Sequence, residues 1–341
     1  STIDLLEGNW SGGFIANNAQ QKLDMQCTNR EGQLFCLQIM EEWHPTFGEF
    51  EVPVRIDSTG IIKLPTGYGE AHLLLDKNNL ELHGSIKENN PVTYLHLKKV
   101  PDPPKATHSV EAVTISSNGL KLQGHFHQPK VNDLKTAVII VGGRGCYPDQ
   151  TQFNLYAKLL RQYGISVLAY QKRGTGGSEG NCGTATIEDL ANDLASVKEF
   201  ITQHPNQYRS IGVLGISAGA WVMAKAEEKI DFDFMISIVG PATSVRDQQL
   251  QSMKTGSVFY KLSETVRQNL ERYTKLMLNE QSDAQQFEQM QQLLSLAEKE
   301  DWKKLLEDTD QPKTMEEIDQ LWVRRFRYDP AKVLQNFNKP F

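Results

Sequence analysis

Gly215-Ile216-Ser217-Ala218-Gly219 sets a hydroxyl between two glycines, each two positions away. Glycine has no Cβ, so the chain can turn tightly there and expose the serine oxygen as a nucleophile. A short apolar run, Ile211 to Leu214, precedes the pentapeptide, and a helix-compatible run, Ala218 to Lys229, includes its end. Strand before and helix after is the context in which this pattern means catalysis rather than a chance Gly-Ser turn. The helix start then favours negative charge at the same spot.

Acyl transfer at a serine also needs donors for a tetrahedral oxyanion, usually two backbone N–H groups. By position Ala218, the residue after the serine, supplies one. Val141-Gly142-Gly143-Arg144-Gly145 ends another apolar run, and its glycines let backbone approach closely, so the second donor is expected from the Arg144 N–H. The Arg144 side chain could in addition face an anionic substrate group. A serine relay further requires a histidine and an acid, which in this strand-helix context follow the serine. The eight histidines, His44, His72, His83, His96, His108, His125, His127 and His204, all precede it. His125-x-His127 sends two rings to one face of a strand, but no further ligand cluster accompanies it, so neither a metal nor a cofactor is expected. His204 reads as a helix-end residue favoured by the macrodipole.

The elements that must position these groups fall into two blocks. Up to Val100 short strand-like runs alternate with turn residues: Trp10 to Ile15, Lys22 to Cys27, Leu34 to Ile39, Ile61 to Leu64, Ala71 to Leu75, Leu80 to Ile86 and Val92 to Leu97. Alternation such as Leu23-Asp24-Met25-Gln26-Cys27 fits a half-buried antiparallel sheet, so residues 1–100 read as a small β sandwich or barrel. Pro101-Asp102-Pro103-Pro104 opposes both helix and ladder, and 101–107 is taken as a linker.

Residues 108–341 read as an α/β unit. His108 to Ser116 and Leu120 to His127 look like a hairpin turning at Asn118-Gly119. Ala137 to Val141, Ile165 to Tyr170, Ile211 to Leu214 and Phe234 to Val239 are apolar runs suited to a parallel sheet buried on both faces, separated by helical segments 152–163, 186–202 and 218–229. After Gly240-Pro241 the chain turns helical and polar, with apolar faces at Leu262 to Met277, Phe287 to Ala297 and Met315 to Trp322. Ser282 with Gln285 and Thr314 with Glu317 have capping-box spacing.

The net charge of −6, with no long Lys/Arg run, gives no electrostatic footprint for nucleic acid. No apolar run approaches the roughly 20 residues that span a bilayer. Cys27 and Cys36 would face each other across a hairpin, and Cys146 and Cys182 each follow a strand. These two candidate disulfides favour a periplasmic or secreted protein whose signal peptide has been removed, with buried free thiols as the alternative.

Tyr170-Gln171-Lys172-Arg173-Gly174-Thr175-Gly176-Gly177-Ser178-Glu179-Gly180, Gly215 to Trp221 and Tyr328-Asp329-Pro330 together resemble exported bacterial esterases of the α/β-hydrolase superfamily, which are akin to acyl-CoA thioesterases and prolyl-oligopeptidase-type enzymes. The opening Gly8-Asn9-Trp10-Ser11-Gly12 is similar to an accessory domain some members carry. The resemblance implies Ser217 as nucleophile and Arg144 and Ala218 as oxyanion donors, while the helical region 244–330, inserted after a sheet strand, is placed to cover the site as a lid. Gln171, Ile216 and Ala220 depart from the usual Asp, His and Gly, which bears on substrate preference more than on reaction type. Lys172, Arg173 and Glu179 are read as structural ion pairs or backbone caps.

The same resemblance puts the acid and the histidine after the next two sheet strands, whereas Asn338-Lys339-Pro340-Phe341 reads as the start of the first of them. The expectation is therefore a mostly parallel α/β-hydrolase sheet lacking its last strands, in a fragment or in a chain completed by a second polypeptide, and inactive alone. The expected reaction is cleavage of a small-molecule acyl ester through an acyl-enzyme. A thioesterase, acyltransferase or peptidase would use the same groups, and a non-catalytic binding protein on a hydrolase scaffold is the reading from a different class.

Overall fold

Alternating burial along the first hundred residues is resolved as a closed barrel. The computed structural model describes residues 2–17, 19–40, 49–101, 108–147, 151–279, 282–300 and 302–341, so most of the linker read at 101–107 lies outside the described residues. After a one-turn helix α1 (Thr2–Leu6), eight strands close in sequence order: β1 (Gly8–Ala16), β2 (Ala19–Arg30), β3 (Gln33–Ile39), β4 (Glu49–Ile56), β5 (Ile62–Thr66), β6 (Gly69–Asp76), β7 (Glu81–Ile86) and β8 (Thr93–Val100). β1 pairs antiparallel with both β2 and β8, which leaves no free edge. Trp10, Leu23, Leu64, Leu73, Leu82 and Leu97 fill the interior. Cys27 and Cys36 stand opposite each other on β2 and β3 and are joined by a disulfide with Cα atoms 4.1 Å apart.

β9 (His108–Ser117) and β10 (Leu120–Pro129) turn at Asn118-Gly119, both at positive φ, as a two-residue hairpin turn requires. With β11 (Thr136–Val141), β12 (Ile165–Tyr170), β13 (Ser210–Ile216) and β14 (Met235–Ile238) they form a six-stranded sheet in the order β14-β13-β11-β12-β10-β9. β11, β13 and β14 run parallel, and all of Ala137 to Val141 and Ile211 to Ile216 is buried. Helices α2 (Thr151–Gln162), α3 (Ile187–Thr202) and α4 (Gly219–Glu227) separate the later strands. α3 starts in a full capping box between Thr186 and Asp189. On the other side of β14 its Met235 N–H donates to the Pro340 carbonyl at 3.0 Å.

By internal contacts the chain divides into two units, Ser1–Ala112 with His125–Leu134 and Asp149–Val167, and Val113–Gly124 with Lys135–Pro148 and Leu168–Phe341. The barrel belongs to the first and the serine turn to the second.

Residues after β14 form α5 (Val245–Phe259), α6 (Glu264–Met277), α7 (Ala284–Lys299), three single turns of 3-10 helix, α8 (Trp322–Arg325) and α9 (Ala331–Asn336). Two local readings of the sequence differ from this. α7 is capped by Asp283, whose carboxylate accepts from the Gln286 N–H at 2.7 Å, so the cap lies one residue beyond Ser282. The third apolar face, Met315 to Trp322, is a 3-10 turn at Glu316–Ile318 followed by α8 rather than one helix, because Ile318 and Trp322 are buried from separate turns.

Candidate active site

β13 ends at Ile216 and α4 begins at Gly219, leaving two residues to redirect the chain. Ser217 does so at φ +52°, in the left-handed region that a serine rarely occupies. Its N–H donates to the Ile238 carbonyl and its carbonyl accepts from the Ala220 N–H, both at 2.9 Å, which pins the strained residue from two sides. The flanking glycines are sterically required. A Cβ at Gly215 would stand 2.8 Å from the Gly219 carbonyl carbon, and one at Gly219 would run into the Val141 carbonyl. Ala218 makes no side-chain cap on α4, so the helix start adjoins Ser217 with its dipole uncovered by a side chain.

The glycine loop after β11 passes directly by the hydroxyl. A Cβ built on Gly143 would lie 3.1 Å from Ser217 Cβ and 3.6 Å from its Oγ. Lys172 fixes this loop, its Nζ donating to the Gly143 carbonyl at 2.7 Å and to the Gly145 carbonyl at 2.8 Å. A trans peptide points its C=O and N–H in opposite directions, so anchoring the Gly143 carbonyl also sets where the Arg144 N–H points. Burial, with repulsion from Arg325, brings the Lys172 ammonium down from 10.5 to about 8. A disulfide between Cys146 and Cys182, Cα atoms 5.8 Å apart, holds the far end of the loop.

The Arg144 side chain faces carboxylates of the protein. Its guanidinium is 2.9 Å from Asp310 and 3.3 Å from Glu307, and lies 4.5 Å over the Trp322 ring. Asp310 is buried, and that burial raises its carboxyl above the ordinary range despite the opposing pull of Arg144.

Around Ser217 these groups border a cavity of about 440 Å³. Arg144 and Ala218 lie beside the serine, Val239 to Pro241 follow β14, Gln248, Gln249 and Ser252 come from α5, and Leu305 to Glu307 with Asp310 come from the 3-10 region. Trp221 and Trp322, 5.6 Å apart, give an aromatic wall, and the Trp221 indole donates to the Thr243 carbonyl at 2.8 Å. Val239 is 84% exposed at φ +48°, an unfavourable backbone for a β-branched residue. No histidine is among the described residues that line this cavity. His127 is buried elsewhere, with its Nδ1 2.8 Å from the Arg161 guanidinium and its imidazole well below the ordinary range through desolvation. His204 packs by Phe200 and Tyr208 and accepts from the Asn206 N–H.

The glycine-rich turn after β12 uses its polar side chains internally. Gln171 accepts the Gly177 N–H at 2.8 Å, and Glu179 accepts the Lys121 N–H at 2.8 Å. Arg173 meets the fully buried Asp193 at 2.7 Å, and Ser117 donates to the same carboxylate at 2.6 Å. The sequence reading weighed Lys172 as structural without locating its acceptors, and it missed Asp310, Glu307 and both tryptophans of the wall. Asp310 lies 166 positions from Arg144, and no local pattern marks such a pair.

Residues 132–318, more than half of the chain, match the family model described as serine aminopeptidase, S33. The chain belongs to this family and is an α/β-hydrolase of the serine-hydrolase type. Among solved structures it is similar to an esterase of Pyrococcus furiosus, at 23% identity and a TM-score of 0.37 over 47% of this chain and 60% of that one. It is also similar to an α/β serine hydrolase without a lid from Xanthomonas campestris, at 24% identity and 0.33 over 41% and 65%. A third likeness is to a Butyrivibrio proteoclasticus protein with ferulic acid bound, at 20% and 0.33 over 36% and 51%. The chain thus spans about three fifths of the length of the first of these. No curated protein matches it.

Proposed function

We propose that Ser217 is the nucleophile of a hydrolase that cleaves small-molecule acyl esters through an acyl-enzyme. The observation that carries this reading is the left-handed Ser217 at the β13–α4 turn, with the Gly143 backbone against its hydroxyl. In this reading the N–H groups of Ala218 and Arg144 bind the oxyanion, and Lys172 orients the second of them through the Gly143 carbonyl. Residues 244–330 act as a lid, which is supported by the contributions of α5 and the 3-10 region to the cavity wall. The tryptophans, Leu305 and Leu306 suit an apolar acyl or alcohol group.

Attack by Ser217 requires a proton acceptor, and the described residues that line the cavity offer no imidazole. The reading therefore assigns the base to a further segment or a second polypeptide, and these 341 residues alone turn over slowly or not at all. Two disulfides support a periplasmic or secreted site of action.

A peptidase reading is favoured by one observation, the Glu307 carboxylate on the cavity wall, which a substrate α-amino group could meet. Assays of the whole gene product against p-nitrophenyl acyl esters and aminoacyl p-nitroanilides separate the two. Ester turnover lost in Ser217→Ala supports the leading reading. Anilide turnover that exceeds it supports the peptidase, and no turnover of either, with any co-purifying polypeptide retained, overturns both in favour of a binding protein.

A further inference from the structure

On the barrel, β7 and β8 run antiparallel with His83 directly opposite His96, and Glu81 two residues before His83 lies on the same face. Burial alternates along β8, so that Tyr94, His96 and Lys98 point outward while Thr93, Leu95 and Leu97 point in. Both imidazoles converge on a single carboxylate oxygen. His83 Nε2 is 3.3 Å and His96 Nε2 3.4 Å from Glu81 Oε2, and the three donor atoms lie within 4.8 Å of one another.

We propose that Glu81, His83 and His96 form a binding site for a zinc-type divalent transition metal on the outer face of the barrel. In a tetrahedral shell with bonds of about 2.0–2.2 Å, neighbouring ligand atoms stand roughly 3.3–3.5 Å apart, the separation found between the carboxylate oxygen and each imidazole nitrogen. The two rings are stacked at 4.6 Å with 12° between their planes. In that arrangement the in-plane lone pairs lie in offset, nearly parallel planes, so ion binding requires one ring to rotate about its Cβ–Cγ bond, which the exposure of both side chains permits. Lys98 approaches the other carboxylate oxygen, Oε1, at 3.8 Å and leaves Oε2 to the histidines.

Access is open, since the side chains of His83 and His96 are 51% and 50% exposed. Three protein ligands leave room for water or an outside ligand in the remaining positions. Imidazole donors select zinc, nickel and copper over magnesium and calcium.

Calorimetric titration of the metal-free chain with zinc chloride, with magnesium chloride as control, tests the site. The expected result is saturable binding of one zinc per chain, weakened at least ~10-fold in His83→Ala and in His96→Ala and reduced in Glu81→Gln, with no saturation by magnesium. These side chains are surface groups outside the barrel interior, so circular dichroism of the variants should match the native chain. No saturable zinc binding, zinc binding indifferent to both histidine substitutions, or equal binding of magnesium would each overturn the proposal.

Discussion

Arg144 donates to Asp310 at 2.9 Å, joining the glycine loop after β11 to the 3-10 region that borders the same cavity. One backbone unit beside the serine is thereby tied to residues 166 positions later in the chain. The buried carboxylate and the stacked Trp322 leave the guanidinium with little freedom to swing toward a substrate anion.

Asp310→Asn keeps the shape and removes the charge. The variant should lose about 1–3 kcal/mol of stability in urea unfolding, because Arg144 keeps its charge in a partly buried position. Active-site labelling should slow by roughly tenfold as the loop relaxes. An unchanged labelling rate would mean that the pair does not position the loop.

Lys172 gives a pH dependence with a definite sign. Its ammonium titrates at about 8 in the folded chain against 10.5 ordinarily, so between these values the unfolded chain binds more protons. The cost of burying the charge is present below pH ~8 and is relieved as pH rises toward ~10.5, by up to about 3 kcal/mol. Compared with Lys172→Met, the native chain should gain relative stability from about pH 7 to about pH 10 in urea midpoints. A difference that is flat or falls over this range contradicts the assignment.

The strain at Ser217 predicts an order among variants. Ser217→Gly relieves the left-handed conformation and should be more stable than Ser217→Ala by about 1 kcal/mol, with both inactive. Equal unfolding midpoints would argue against stored strain at this turn.

Asp193 lies fully buried between Arg173 and Ser117. Asp193→Ala strands the guanidinium and should cost about 3–5 kcal/mol, far more than Glu179→Ala on the same turn. Thermal unfolding of the two variants makes the comparison.

How much of this was legible in the sequence follows from the range of each signal. Strand alternation and the Gly215-x-Ser217-x-Gly219 spacing are local, so an antiparallel β unit and the serine turn were readable from them. The choice between sandwich and closed barrel depends on β1 meeting β8 and was left open. β4 escaped because Pro53, paired with Phe35, demotes a strand reading. α5 escaped because it buries only Val245, Met253 and Ser257 and has no apolar stripe. The loop clamps of Lys172 and Asp310 are tertiary, between residues with no shared periodicity.

The central claim is that Ser217 is the nucleophile. Treating the whole gene product with a fluorophosphonate and mapping the adduct by peptide mass spectrometry tests it most directly. The account predicts one adduct, on the peptide containing Ser217, absent in Ser217→Ala and slowed in Asp310→Asn. An adduct on another serine, or labelling that persists in Ser217→Ala, would contradict it.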